Sequence, residues 1–237
     1  MRLDPLSLRI WRHGIAFAIA FDAVQLAIRT RMRSPLTTAI LPVPPLFRDI
    51  AVSTPGLAAI ASVAVLAALL FARGRRPVLF AVVALVANRL LLEAFAALDG
   101  VYDETSYHAA SALLGWLFGR AYARATGEPR DAPEIDQLSA LGAAAMFGAT
   151  YLNAGTSKLH DSGFSWADGD TIRLLVLAHR PAGVPSWLDA VRTFAGESAS
   201  AAMALSIGTL IIQLGAFFFP WTRRTRLVWG ALFVAFH

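Results

Sequence analysis

Apolar runs bounded by charge clusters divide the chain into six stretches of membrane-crossing length, at roughly residues 11–28, 56–72, 77–98, 107–123, 137–156 and 199–219. A hydrocarbon layer about 30 Å thick takes about 20 consecutive apolar helical residues, and only closed backbone hydrogen bonding survives inside it. A seventh run, "LVWGALFVAFH", begins near residue 227 and stops after 11 residues, shorter than a span, so the sequence reads as incomplete at this end. The pattern predicts an all-α fold, a polytopic transmembrane helical bundle forming one domain over residues 1–237. Two shorter periodic segments follow the fifth run. "DTIRLLVLAH" offers Asp170 as an N-cap and apolar residues on one helical face, and "VPSWLDAVRTF" carries Trp187. Both predict short interfacial or re-entrant helices. Residues 34–55 hold Pro35, Pro42, Pro44, Pro45 and Pro55, which predict an irregular but rigid lid.

Composition agrees with lipid as the solvent of this chain: 57% of residues are hydrophobic, above the roughly 45–50% of soluble domains. The N-terminus does not combine a charged n-region, a short apolar h-region and a small-residue cleavage site, so the first run is read as a retained anchor helix. The absence of cysteine excludes disulfides, thiolate nucleophiles and cysteine metal sites. A net charge of +5 is compatible with nucleic acid, but the arginines cluster beside apolar runs and not along a polar face, so no nucleic-acid partner is expected. Arg2, Arg9 and Arg12, the "RGRR" segment at 73–76, Arg120, Arg124 and Arg130, and "RRTR" at 223–226 all fall on one side of the predicted bundle. The positive-inside rule makes that side, with the N-terminus, cytoplasmic, and puts the acidic "LDGVYDET" loop outside. Arg29, Arg31, Arg33 and Arg48 run against the rule. The expected location is a bacterial inner membrane, with the lipid bilayer as first partner.

Polar groups within apolar runs mark either pairing or function. Asp22, mid-run in "FAIAFDAVQLAI", either orients a polar site or is the buried partner of an arginine such as Arg29 or Arg89. Arg89 and Glu93, spaced i,i+4, neutralise each other on one face. Asn88 and Gln213 are read as interhelical hydrogen-bond partners. His108, beside Tyr107 at the outer start of the fourth run, is either a proton-relay group or half of an interfacial Tyr/His pair. His13, His160, His179 and His237 show no HExxH or HxxH spacing, so no metal is expected. Asp161, Asp168 and Asp170 do not match an EF-hand and are read as turn and cap residues.

Lys158 is the only lysine among 21 Lys and Arg residues. An arginine keeps its proton in a protein, whereas a lysine in a partly desolvated pocket can supply a neutral amine as general base. The competing reading is a cation that snorkels to the interface. The run Tyr151, Ala154, Gly155, Lys158, Leu159, followed by Trp166 and Gly169, resembles the membrane domain of vitamin K-dependent gamma-glutamyl carboxylases and the bacterial HTTM proteins related to them. "DPLSLRIWRHGIAFAIAFDAVQLAIRT" is similar to that family's first span, "SYHAASALLGW" to the start of its fourth, and "LVWGALFVAFH" to a later one.

The resemblance implies that Lys158, in an AG-x-x-K-L pattern, deprotonates reduced vitamin K or menaquinone. Oxygen then forms a strong base that removes a gamma proton from a glutamate side chain of a peptide substrate. Carbon dioxide adds to the carbanion, and the quinone leaves as an epoxide. It also implies an epoxidation role near Tyr107, the gapless match to a family histidine, with His108 one position on. Tyr151 and Trp166 fall beside the quinone, Trp166 also serving the architecture, and Asp22 and Gly169 match positions that shape the fold. Lys158 is expected near the external face. A shared fold does not fix a reaction. The alternative is a non-catalytic membrane module that binds lipid or assists maturation of, or immunity to, a secreted peptide.

Overall fold

The structure is a computed structural model that describes residues 5–32, 44–99, 107–129, 132–178 and 186–236. Among the described residues every regular element is a helix: α1 (Pro5–Arg31), α2 (Pro45–Val52), α3 (Thr54–Ala72), α4 (Pro77–Asp99), α5 (Tyr107–Ala125), α6 (Pro133–Ser162), α7 (Asp170–Ala178), α8 (Ser186–Glu197), α9 (Ala199–Gly215) and α10 (Arg223–Phe236). Short 3₁₀ turns cover Gly163–Asp168 and Ala216–Phe218. Among the described residues, three helical stretches are long and apolar enough to cross a membrane: Thr54–Ala72, Pro77–Leu98 and Ala199–Phe218. The chain forms two compact units, Met1–Phe147 and Gly148–His237, with the division falling inside α6.

The seven predicted runs all correspond to helices, but the ends differ where polar residues carry the helix beyond its apolar part. α1 starts at Pro5 and α6 at Pro133, ahead of the expected residues 11 and 137, because proline suits a first helical turn and Glu134 and Asp136 suit the positive end of the dipole. α10 starts at Arg223: the Thr225 N–H donates to Thr222 Oγ1 at 3.1 Å while the Thr222 N–H donates to Thr225 Oγ1 at 2.9 Å, a reciprocal cap. The expected irregular lid is corrected over its second half. Pro45 begins α2, and Pro55 falls in the first turn of α3, where Ser53 Oγ accepts from the Gly56 N–H at 3.2 Å. Residues 34–43 lie outside the described residues.

In the first unit α1, α3 and α4 pack on one another, and α5 adds to α1 and α4. Alanines recur every three or four residues on the contact faces, with Ala61, Ala64, Ala67 and Ala68 on α3 and Ala81, Ala84 and Ala87 on α4, all buried. Small side chains let backbones approach closely, which is how helices gain dispersion energy where lipid removes the hydrophobic advantage of burial. Larger anchors close the layers: Phe71 meets Trp116 edge-on at 4.9 Å, and Leu91, Leu92 and Phe95 fill the second cluster with Leu26 and Leu57. Outward, Val63, Leu66, Leu69, Val82 and Val86 are exposed, an apolar surface compatible with lipid.

The polar residues of this unit are held between helices. Asn88 is 1% exposed, and its Nδ2 donates to Asp22 Oδ2 at 2.7 Å, joining α4 to α1. Arg89 pairs with Glu93 along α4, as the i,i+4 spacing requires, and Arg29 lies 4.9 Å from the Phe95 ring centroid. An Asn88→Ala variant should therefore lose about 1–2 kcal/mol, the value of one interhelical hydrogen bond to a carboxyl oxygen plus the loss of packing. Unfolding of the detergent-solubilised protein measures this, and unchanged stability would show that the Asp22 contact contributes nothing.

The second unit packs α7, α8 and α9 together, with α10 on α9. Ser198 caps α9, its Oγ accepting from the Ala201 N–H at 3.3 Å. The buried face of α9 runs through Ala202, Ser206, Thr209, Leu210 and Gln213. Trp229 of α10 donates through Nε1 to the Ile212 carbonyl at 3.2 Å.

Candidate functional site

Gly148, Tyr151, Gly155 and Lys158 follow one another at three- and four-residue steps and so share one face of α6. A Cβ on Gly148 would stand 2.8 Å from the Ala216 carbonyl oxygen, and one on Gly155 2.9 Å from Gln213 Cβ. The two glycines thus admit the end of α9, and Lys158 follows one turn further along the same face. After Ser162 the chain turns at Gly163 into the 3₁₀ segment, which brings Trp166 back to the helix. Lys158 Nζ lies 5.0 Å from the Trp166 ring centroid. Gly169, buried and left-handed at φ 91°, ends the segment against the Ala202–Met203 backbone of α9. Asp168 Oδ1 accepts from the Asp170 N–H at 2.8 Å, which starts α7, and Arg173 Nε donates to the Gly196 carbonyl at 3.1 Å, tying α7 to α8.

A partly buried ammonium over an indole face is attracted by the ring quadrupole by about 0.5–2 kcal/mol, and only in its charged form. Trp166 Nε1 is buried with no partner among the described residues. The indole therefore offers its face to Lys158 while its N–H lacks an acceptor. Phe164, in the same turn, is exposed. An ammonium donor over a flat aromatic ring suits an oxygen acceptor carried on a flat, apolar molecule.

Of the residues singled out in the sequence, Lys158 and Trp166 are brought into direct contact. Tyr151 is 2% exposed and stacks on Phe233 at 4.3 Å, in an aromatic cluster completed by Phe219. Tyr107 and His108 belong to the first unit. Tyr107 packs against the cluster of Leu91, Leu92 and Phe95, and His108 meets Phe147 edge-on at 5.9 Å. Asp168 acts as a turn residue as read, and Asp161 pairs with His160 at 3.0 Å on the surface. His179 and His237 lie outside the described residues. Gln213, read as an interhelical partner, is 5% exposed and its Oε1 has no partner among the described residues; the same holds for Ser206 Oγ. Ser206, Thr209 and Gln213 form a buried polar stripe that the i, i+3, i+7 spacing within an apolar run could have disclosed.

Comparison of the chain with protein-family models, curated proteins and solved structures gives no match. The functional reading therefore starts from these residues and their chemistry.

Proposed function

We propose that the chain is a polytopic membrane protein in which the Lys158–Trp166 turn binds a reduced quinone, with Lys158 as proton acceptor, in the manner of the carboxylase-like family its sequence resembles. The observation that carries this reading is the Lys158 ammonium over the Trp166 ring, whose indole N–H has no partner among the described residues. The residues fit a quinone-class cosubstrate: its oxygens accept hydrogen bonds, and its flat ring suits an aromatic surface. Such a group supplies the oxygen-driven chemistry of the family, epoxidation coupled to carbon dioxide addition on a peptide. Lys158 supplies the proton transfer. Phenol-type hydroxyls and lysine amines have ordinary pKa values near about 10 and 10.4, so exchange between them costs little once the amine is neutral. Because the ring favours the ammonium, Lys158 must leave Trp166 to act as base.

In this reading α1, α5 and α6 join the three apolar helices as spans, the N-terminus is cytoplasmic and Lys158 lies near the external face. α7 and α8 rest in the interface. α8 supports this with Trp187 (68% exposed), Val191 (58%) and Phe194 (65%) at i, i+4 and i+7, an apolar stripe of the kind interfacial helices present to lipid. The cation–π contact also favours a second reading, a non-catalytic module whose Lys158 stays charged and binds lipid or a secreted peptide.

Reconstitution with reduced menaquinone separates the two. Lys158→Arg keeps the charge and removes the base, so epoxide formation should fall about a hundredfold or more. Equal turnover by wild type and Lys158→Arg rules out the base. No turnover by the wild-type protein, with quinone, oxygen, carbon dioxide and a glutamate peptide all present, selects the second reading.

A further inference from the structure

We propose that a cavity at the N-terminal end of the first unit binds a phosphate oxyanion of the kind carried by an anionic lipid headgroup. The cavity encloses about 240 Å³ and is lined by Arg9, Trp11 and Arg12 of α1, Trp116 of α5, and Asp136 and Ala140 of α6. This is below the about 300–1,000 Å³ of pockets that enclose drug-sized molecules, and it suits a headgroup without its acyl chains.

Arg9 and Arg12 are three residues apart and point to one face of α1. Arg12 is held in place: its Nε donates to the Ala72 carbonyl at 3.0 Å, and a Cβ on Gly74 would stand 3.0 Å from its Nη1. Its guanidinium is therefore oriented by the end of α3 and not by an acid. The cavity's carboxylate, Asp136, is matched by Arg120 at 3.0 Å, and Arg120 also lies 5.3 Å from the Trp116 ring centroid. Among the described residues no carboxylate lies within ion-pair distance of Arg9 or Arg12. Two lining guanidinium groups, Arg9 and Arg12, thus share the cavity with one carboxylate that Arg120 already neutralises. Planar guanidinium forks match the oxygens of phosphate in paired, charge-assisted hydrogen bonds.

Position selects the lipid source. Ala72 ends α3, a helix of membrane-crossing length, and lipid phosphates lie at the ends of such helices. Trp11 and Trp116 supply the amphipathic rings that favour the same depth.

The test uses the purified chain in nanodiscs of phosphatidylcholine with or without phosphatidylglycerol, with lipid retained after detergent transfer counted by native mass spectrometry. Arg9→Gln, which leaves the Arg12–Ala72 and Arg120–Asp136 bonds in place, should weaken phosphatidylglycerol retention about tenfold. Asp136→Asn, which frees Arg120 and removes the acid lining the cavity, should strengthen it by about threefold. A packing defect would weaken both, so the opposite signs are diagnostic. Inorganic phosphate and glycerol phosphate, added to phosphatidylcholine discs, form the second arm: Arg9-dependent binding there assigns a soluble phosphate, and retention only of phosphatidylglycerol assigns the headgroup. Equal retention by wild type and Arg9→Gln in both arms overturns the site. So does weaker binding by Asp136→Asn at unchanged thermal stability.

Discussion

A Gly119→Ala variant is expected to lose about 3 kcal/mol or more of stability, although alanine is the better helix former by about 1 kcal/mol. The loss comes from backbone. A Cβ at Gly119 would stand 2.0 Å from the Leu138 carbonyl oxygen, 2.7 Å from its carbon and 2.9 Å from Ser139 Cα. One turn earlier, a Cβ on Gly115 would meet the Gly142 carbonyl oxygen at 2.2 Å, and a Cβ on Gly142 the Gly115 oxygen at 2.2 Å. Gly115 and Gly119, in "GWLFG", are spaced as in the small-xxx-small motif by which membrane helices approach closely, and α6 answers with Gly142. No rotamer change relieves a clash with a carbonyl, so the helices must separate and give up the packing around Trp116 and Ala143. Gly14→Ala is the control, because among the described residues nothing lies within 4 Å of the added atom. It should be neutral or mildly stabilising. Unfolding of both variants in the same detergent decides the matter, and matching stabilities would mean that α5 and α6 do not touch at this site.

Which features are legible in the sequence follows from the range over which each is determined. Helices such as α3, α4 and α9 are written in apolar length, a local property, and their bounds lie close to those read from composition. α2 and the first turns of α6 and α10 escape such a reading because they are polar or proline-rich, and their order comes from caps and helix-dipole effects that an apolar run does not register. The general rule that intramembrane charges pair directs Asp22 to an arginine and does not by itself name Asn88, a partner it has in the fold. That choice depends on which face of α4 meets α1, which is a tertiary property. Tyr107 reads as chemistry or belt in the sequence, and its packing against Leu91, Leu92 and Phe95 depends likewise on α4.

For the candidate site, Lys158 and Trp166 stand out in the sequence but their contact does not. Seven residues lie between them, and the contact needs the 3₁₀ turn to reverse the chain. The Arg9 and Arg12 side chains read as topology signals alone, because a positive-inside rule counts charges without asking what cavity they line.

Gly169→Ala should cost about 4 kcal/mol and, in addition, release Lys158 from its ring. Two terms add. At φ 91° an alanine is strained in a region that glycine occupies freely. Its Cβ would also stand 2.5 Å from Met203 N and 2.7 Å from the Ala202 carbonyl carbon, both backbone atoms of α9. The turn must therefore lift from α9, and Trp166, three residues earlier, moves with it. Because Lys158 is the only lysine, its state can be read by an acylating reagent that attacks neutral amines, once the terminal amine is blocked. Loss of a contact that favours the ammonium by about 0.5–2 kcal/mol should raise the acylation rate of Lys158 about twofold or more at a fixed pH. Trp166→Leu should raise it comparably while leaving Gly169 on α9, so it separates loss of the ring from loss of the fold. A rate unchanged by both substitutions would mean that the indole does not hold the amine. A rate raised by both would make the charged state of Lys158 a property of the turn, so that a base at this position must first be freed from Trp166 by its ligand.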